Sequence, residues 1–345
     1  MTKPILIAGP CSAETREQIL ETAAGLVVLN PDYFRAGIWK PRTRPGEFEG
    51  IGKDALPWML EAKEKYGLKL ATEVAKAEHV EAVLKAGFDM IWIGARSTAN
   101  PFTVQDIADA LAGVSIPVMV KNPTNPDLKL WLGAIERVEK AGIKELSAIH
   151  RGFSVYEKTK YRNKPNWQIP IALKQERKDI PLICDPSHIT GKSELIQRIA
   201  QKAYDLKYDG LMIETHCNPL KAWTDARQQV TPAELDIILN CLEIRNREEF
   251  NSNELLSMRE EINGIDDEII RQLKERMQIS AAIGKLKKKT KTAILQHSRW
   301  KELIEKNIER AKQSNLSHEF LDELYKLIHE ESIRIQYQIL SSKDE

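Results

Sequence analysis

Strand and helix alternating eight times, then an all-helical tail, is the fold this sequence predicts: α/β first, all-α afterwards. Three observations carry it. Short apolar runs alternate with amphipathic stretches from Pro4 to about Ile244. No GxGxxG follows the first run, which favours a closed (β/α)8 TIM barrel over a doubly wound sheet. Near residue 245 the composition shifts, and the chain beyond has no Pro and only two Gly. The expected organisation is a barrel over 1–245, a linker over 246–254 and a three-helix domain over 255–345.

The strands are expected at residues 5–8, 33–38, 69–72, 90–93, 118–121, 146–150, 182–184 and 210–213. Each is a short apolar run of strand length. Residues 17–29, 54–66, 79–86, 128–140 and 192–206 read as helices between them, with apolar residues recurring at three- and four-residue steps. The connection from Arg151 to Pro181 is longer and reads as a functional loop. Past the linker, Leu255, Ile262, Ile265, Ile269, Leu273, Met277 and Ile283 keep helical spacing, which predicts one helix of about 30 residues. Two more are expected at 296–314 and 317–340, the last capped by Ser317. Three such helices cannot bury their apolar faces alone, so a second copy of the chain is the expected partner.

Composition narrows the function. The hydrophobic and charged fractions, 42% and 29%, are ordinary for a globular protein. Lys+Arg (51) and Asp+Glu (50) nearly cancel to +1, which gives no reason to expect nucleic acid or a membrane as partner. Four cysteines, Cys11, Cys184, Cys217 and Cys241, form no CxxC pair, so reduced thiols and a cytoplasmic home are expected. The first apolar run is too short for a signal peptide, and no run spans a bilayer.

Catalytic side chains of a barrel sit at the C-terminal ends of its strands. Those ends carry Cys11, then Arg35 and Lys40-Pro41-Arg42-Thr43, then Glu73, Arg96, Lys121, Arg151, Asp185 with His188, and Glu214. So many cations on one rim call for a substrate with several negative charges, such as two phosphates and a carboxylate. Cys11, His188, Glu214 and Asp225 together suit a divalent transition metal with open positions. On local chemistry alone, His216 and Cys217 beside Glu214 rank nearly equal to these.

Seven segments in order, Gly9-Pro10-Cys11-Ser12, Lys40-Pro41-Arg42-Thr43, Gly94-Ala95-Arg96, Pro117 to Lys121, His150-Arg151-Gly152, Asp185-Pro186-Ser187-His188 and Glu214-Thr215-His216, with Asp225 eleven residues on, resemble the 3-deoxy-D-arabino-heptulosonate 7-phosphate (DAHP) synthase family, type I, in its short β form. The resemblance covers about residues 3–245. It implies a (β/α)8 barrel that condenses phosphoenolpyruvate with erythrose 4-phosphate in the shikimate pathway of aromatic amino acid biosynthesis. It implies Cys11, His188, Glu214 and Asp225 as ligands of a divalent metal, Mn2+ first, with Fe2+, Co2+ or Zn2+ as alternatives. It assigns phosphoenolpyruvate to Arg35, Lys40, Arg96, Lys121 and Arg151, and the sugar phosphate to Arg42 and Thr43. Lys40 and Glu73 are the candidates for moving protons. The start close to strand one implies no regulatory segment ahead of the barrel.

The helical region holds a second cation set. Arg276 and Lys287, eleven residues apart, rise about 16 Å from one another and share a face within about 20°. Arg259 lies seventeen residues before Arg276, about 25 Å away, and can meet the same small ligand only from an antiparallel partner chain. Leu256-Ser257-Met258-Arg259, Glu275-Arg276, Gly284 to Lys287, Arg299, and Ser332 with Gln336 resemble an AroQ-type chorismate mutase, an all-helical intertwined dimer. The resemblance implies that Arg259 of a partner chain, Arg276 and Arg299 hold the substrate's anionic groups. Lys287 and Gln336 reach its ether oxygen, and Ser332 lines the site. Trp300 and Gln296 depart from carboxylates the family often carries. The leading reading is therefore a bifunctional synthase and mutase. The alternatives are a helical domain that senses a dicarboxylate and dimerises with weak or no turnover, and a barrel that takes another aldehyde, such as an arabinose phosphate.

Overall fold

A computed structural model of the chain describes residues 3–42, 44, 46–156, 159–245, 252–294, 302, 306, 309 and 316–342. It divides into two compact units, Met1–Arg247 and Glu248–Glu345. In the first, eight parallel strands close in chain order into a barrel: β1 (Ile5–Gly9), β2 (Tyr33–Arg35), β3 (Leu70–Val74), β4 (Met90–Ile93), β5 (Val118–Lys121), β6 (Leu146–His150), β7 (Leu182–Cys184) and β8 (Gly210–Glu214).

Side chains alternate along every strand. Residues of one parity, such as Phe34, Ile91, Val120 and Ile213, face the surrounding helices. Residues of the other parity fill the barrel: Ile7, Ala71, Met90, Trp92, Met119, Ile149, Ile183 and Met212 form a separate buried cluster. Two residues further along each chain, the same parity delivers polar groups above that plug. Tyr33 leads to Arg35, Ala71 to Glu73, Met119 to Lys121, Ile149 to Arg151, Ile183 to Asp185 and Met212 to Glu214. A one-residue slip of any strand would bury its charge among the helices instead.

Several elements differ from the sequence expectation, β2 and the connection after β6 among them. β2 stops at Arg35, because the next residues turn to pair with the segment after β1. The Gly37 N–H donates to the Cys11 carbonyl at 3.2 Å, and the Ala13 N–H donates to the Gly37 carbonyl at 3.0 Å. The connection expected as one long loop to Pro181 contains a helix, Gln168–Glu176, which buries Pro170 and Leu173. Proline is tolerated in a first turn, where the N–H has no helical partner.

The second unit contains a 38-residue helix, Asn253–Thr290, N-capped by Ser252, and a 24-residue helix, His318–Ser341, capped by Ser317 as expected. The expected middle helix lies almost wholly outside the described residues. Met258, Ile262, Ile265, Ile269, Ile279, Ile283 and Leu286 all stand exposed on the long helix. No helix among the described residues is long and apolar enough to cross a membrane.

Candidate active sites

The mouth of the barrel is an open cavity of about 290 Å³. Lys40, Arg42, Glu73, Arg96, Lys121, Arg151, His188 and Asp225, all expected from strand ends and motifs, line it together with Arg162 and Asn163. Arg35 is buried beneath: it donates to Glu214 Oε1 at 3.1 Å and to the Cys11 carbonyl at 2.9 Å. Lys121 pairs with the buried Asp185 at 2.9 Å. Burial, with Arg162 and Arg96 nearby, pulls the Arg151 guanidinium down to about 10 against the attraction of Asp185. Cations crowded enough to lower one another's basicity are a site that gains by binding an anion. Thr43 lies outside the described residues.

At one side of this floor, donor atoms of Cys11, Glu214 and Asp225 lie within 4.8 Å of one another. His188 joins them, its Nε2 3.6 Å from Glu214 Oε1 and its Nδ1 2.8 Å from Asp185 Oδ2. Local chain geometry makes the cluster. Gly9 has φ +147°, and a Cβ there would sit 2.0 Å from the Arg35 carbonyl, so only glycine lets β1 run this close to β2 before Cys11. Asp225 takes the left-handed conformation, φ 51°, one that aspartate tolerates. The 3-10 turn Ala226–Gln228 then brings the chain straight back.

The electrostatics fit a cation. Burial, then the Glu214 carboxylate, push the Cys11 thiol up to about 12 against the pull of Lys40. Burial would raise Glu214, but His188, Arg35 and Lys40 outweigh it and hold the carboxyl below its usual range. Burial keeps His188 below the ordinary imidazole value despite Asp185 and Glu214. A thiol and two carboxylates facing one point, with an imidazole beside one carboxylate, form a donor set for a divalent transition ion. His216 is directed away from this cluster. Its Nδ1 accepts from the Asn218 N–H at 2.8 Å, and its Nε2 faces Glu14 at 3.6 Å. The sulfur of Cys217 faces the Gln18 carbonyl at 3.9 Å.

In the helical unit, Arg276 donates to the Ser332 hydroxyl at 2.6 Å. Ser332 and Gln336 are buried, one helical turn apart, on the side of the last helix that faces the long one. The buried Gln336 Oε1 has no hydrogen-bond partner among the described residues. Lys287 is half-buried and donates to the Ile294 carbonyl at 2.5 Å. Arg259 is exposed on the same unbroken helix as Arg276, about 25 Å along it at the standard rise. Arg299, Trp300 and Gln296 lie outside the described residues.

Residues 2–248 match the family model of the DAHP synthetase I family. The chain belongs to that family. Residues 258–337 match the model of chorismate mutase type II, so a DAHP synthase I domain is followed by a chorismate mutase type II domain. A phospho-2-dehydro-3-deoxyheptonate aldolase of Thermotoga maritima is 32% identical over 225 residues, which take in 65% of this chain and 64% of that protein. A 2-dehydro-3-deoxyphosphooctonate aldolase of Campylobacter jejuni is 28% identical over 274 residues, 71% of this chain and 98% of that protein. The crystal structure of a Thermotoga maritima DAHP synthase superposes with a TM-score of 0.61 at 29% identity, covering 68% of this chain and 67% of that one. DAHP synthases of type I are generally metal-dependent, as the donor set here fits.

The DAHP synthase domain also holds functional groups that strand-end reasoning passed over. Arg162 donates to Asp225 Oδ1 at 2.9 Å and to Gln228 Oε1 at 2.6 Å. Gln228 in turn donates to Glu214 Oε2 at 2.6 Å. Asn163 accepts from Arg151 at 2.8 Å and donates to the His188 carbonyl at 2.7 Å. The signal for Arg162 and Asn163 was the long connection that carries them; nothing in the sequence pointed to Gln228.

Proposed function

We propose that the chain is a bifunctional enzyme of aromatic amino acid biosynthesis. Its barrel condenses phosphoenolpyruvate with erythrose 4-phosphate to give DAHP and phosphate, and its helical domain rearranges chorismate to prephenate. One observation carries the barrel reading: a ring of cations faces one cavity whose floor holds a thiol, an imidazole and two carboxylates. In this reading the barrel spans 1–245, a linker 246–254, and the mutase domain 255–345.

Cys11, His188, Glu214 and Asp225 would hold the divalent metal, Mn2+ in first place. When bound, the ion supplies Lewis acidity toward the sugar aldehyde. Lys40, Arg96, Lys121 and Arg151 would hold phosphoenolpyruvate, with Arg35 adding its charge from below. Arg42 and Thr43 would meet the sugar phosphate. Two dianions repel one another, and fixed cations remove that cost before reaction. Attack by the enol carbon on the aldehyde leaves positive character at the phosphate-bearing carbon, which water captures before phosphate departs. Lys40 and Glu73 would handle the protons of that water and of the new hydroxyl.

In the helical domain Arg276 and Arg299, with Arg259 of a second chain, would bind the dicarboxylate. Lys287 and Gln336 would stabilise charge on the breaking ether bond, and Ser332 would line the site. The exposed apolar stripe of the long helix supports a homodimer through this domain.

The heptonate and octonate names of the relatives differ by one carbon of the acceptor. The four-carbon sugar is favoured by Lys40-Pro41-Arg42-Thr43, and by the higher identity to the heptonate relative. A pentose phosphate acceptor is the second reading. The deciding experiment assays purified protein for both reactions, with and without chelator, and identifies the condensation product by mass for each aldehyde. A seven-carbon product lost on chelation, with chorismate turnover retained, is expected. An eight-carbon product would replace the first assignment. Absent chorismate turnover would make the helical domain a dicarboxylate sensor.

A further inference from the structure

Trp92 has no place in the chemistry described so far, yet three groups of that site converge on it. Its ring lies 4.9 Å from the Arg35 guanidinium carbon and 5.6 Å from Lys121 Nζ. Its indole N–H donates to Glu73 Oε2 at 2.9 Å. Strand register explains the last contact, because Glu73 and Trp92 are direct partners across β3 and β4 and point to the same face. The other carboxylate oxygen is seated as closely: a Cβ on Gly94 would lie 2.2 Å from Glu73 Oε1. Glu73 is thus laid across the bare backbone of Gly94 and fixed by the indole.

Packing alone does not ask for this residue. The other fully enclosed members of the plug are Ile, Ala and Met, which fill space without a polar atom to satisfy. Tryptophan adds a directional donor and an electron-rich face, each used here on a group of the opposite polarity.

We infer that Trp92 is a positioning residue of the barrel site, whose N–H aims Glu73 while its face seats Arg35 and Lys121. The inference rests on the reading of this cavity as the phosphoenolpyruvate site. The two roles sit on different parts of one side chain and so can be separated. Trp92→Phe keeps an aromatic face and removes the donor. Trp92→Gln keeps a donor beside Glu73 and removes the face.

The experiment measures kcat, KM and direct phosphoenolpyruvate binding for both variants of the full chain. In Trp92→Phe, kcat should fall about tenfold or more, as expected on losing a hydrogen bond to a charged group, with phosphoenolpyruvate affinity within about threefold of the parent. In Trp92→Gln, kcat should recover most of that loss while affinity weakens by about tenfold, within the range for cation–π contacts. Parallel loss of both parameters in both variants, or no change in either, overturns the inference. A third measurement does not depend on how either variant folds. The protein has seven tryptophans, and one indole 15N–1H resonance should move when Glu73→Gln replaces a charged acceptor by a neutral one. If all seven stay in place, the hydrogen bond is not made and the inference falls. Failure of the parent enzyme to bind phosphoenolpyruvate would instead overturn the functional reading beneath it.

Discussion

Replacing Gln228 by leucine tests whether the groups around the proposed metal ligands set the affinity of the site. Gln228 is buried. Its amide donates to Glu214 Oε2 at 2.6 Å and accepts from Arg162 at 2.6 Å, so it ties one ligand carboxylate to the cation that holds the other. Leucine removes both bonds with little change in volume. A hydrogen bond to a charged group contributes about 1.5–3 kcal/mol. Part of that is retained, because Arg35 still reaches Glu214 at 3.1 Å and Arg162 still reaches Asp225 at 2.9 Å. Metal affinity should therefore fall about 10- to 100-fold, the usual range when a ligand's own partner is lost. The assay is competition between metal-depleted protein and a chelating dye, with circular dichroism to verify the fold. Cys217→Ser is the control, since its sulfur faces Gln18 rather than the cluster, and its affinity should match the parent. A Gln228→Leu dissociation constant within twofold of the parent would refute the reasoning, and Glu214 would then be oriented by Arg35 alone.

Three further outcomes follow from the structure. A chain ending at Asn246 keeps every barrel residue named above and should retain condensation while losing chorismate turnover; rearrangement surviving in it would overturn the division of labour. Arg259→Ala and Arg276→Ala proteins should each be nearly inactive as mutases, yet refolding them together should restore about a quarter of parent activity, because half the dimers then carry one intact site. No recovery, with mixed dimers demonstrated, would place both arginines in one chain's site. Burial pulls His150 down to about 4, against its hydrogen bond to the Pro165 carbonyl, whereas an unfolded chain has about 6.5. Its contribution is then fully present above about pH 6.5 and is lost as pH falls toward 4, reaching roughly 3 kcal/mol. Denaturant midpoints of the barrel transition at pH 7 and 5 should differ more for the parent than for His150→Gln, and equal differences would sink the assignment.

The barrel was legible because parity in a strand is a local property. Once a run such as residues 118–121 is recognised, the inward direction of Lys121 follows from Met119 two residues before it. The cation rim was legible for the same reason. The choice between His188 and His216 was not, since both are imidazoles near a strand end and only the direction of each ring separates them. Gln228 was invisible because a neutral amide carries no signal until its partners are in place. Arg162 sits in a connection where no periodicity fixes direction. The helix Gln168–Glu176 was missed because its buried Pro170 reads as a breaker. In the helical unit the long first helix and the Ser317 cap could be read from spacing. Arg259 could be read only as too distant from Arg276 for a shared ligand.

The apolar plug has a kinetic meaning as well as a structural one. Ile7, Met90, Trp92, Met119, Ile149, Ile183 and Met212 fill the barrel beneath the cation-lined cavity, so on the proposed reading reactants would enter it from above. A well fills from the bottom. In the proposed reaction, the reactant held against Lys121 and Arg151 would arrive first, and the second would sit above it as a stopper. Products would leave in the reverse sequence, the shallower before the deeper. Order of addition would then be set by the depth of the barrel itself.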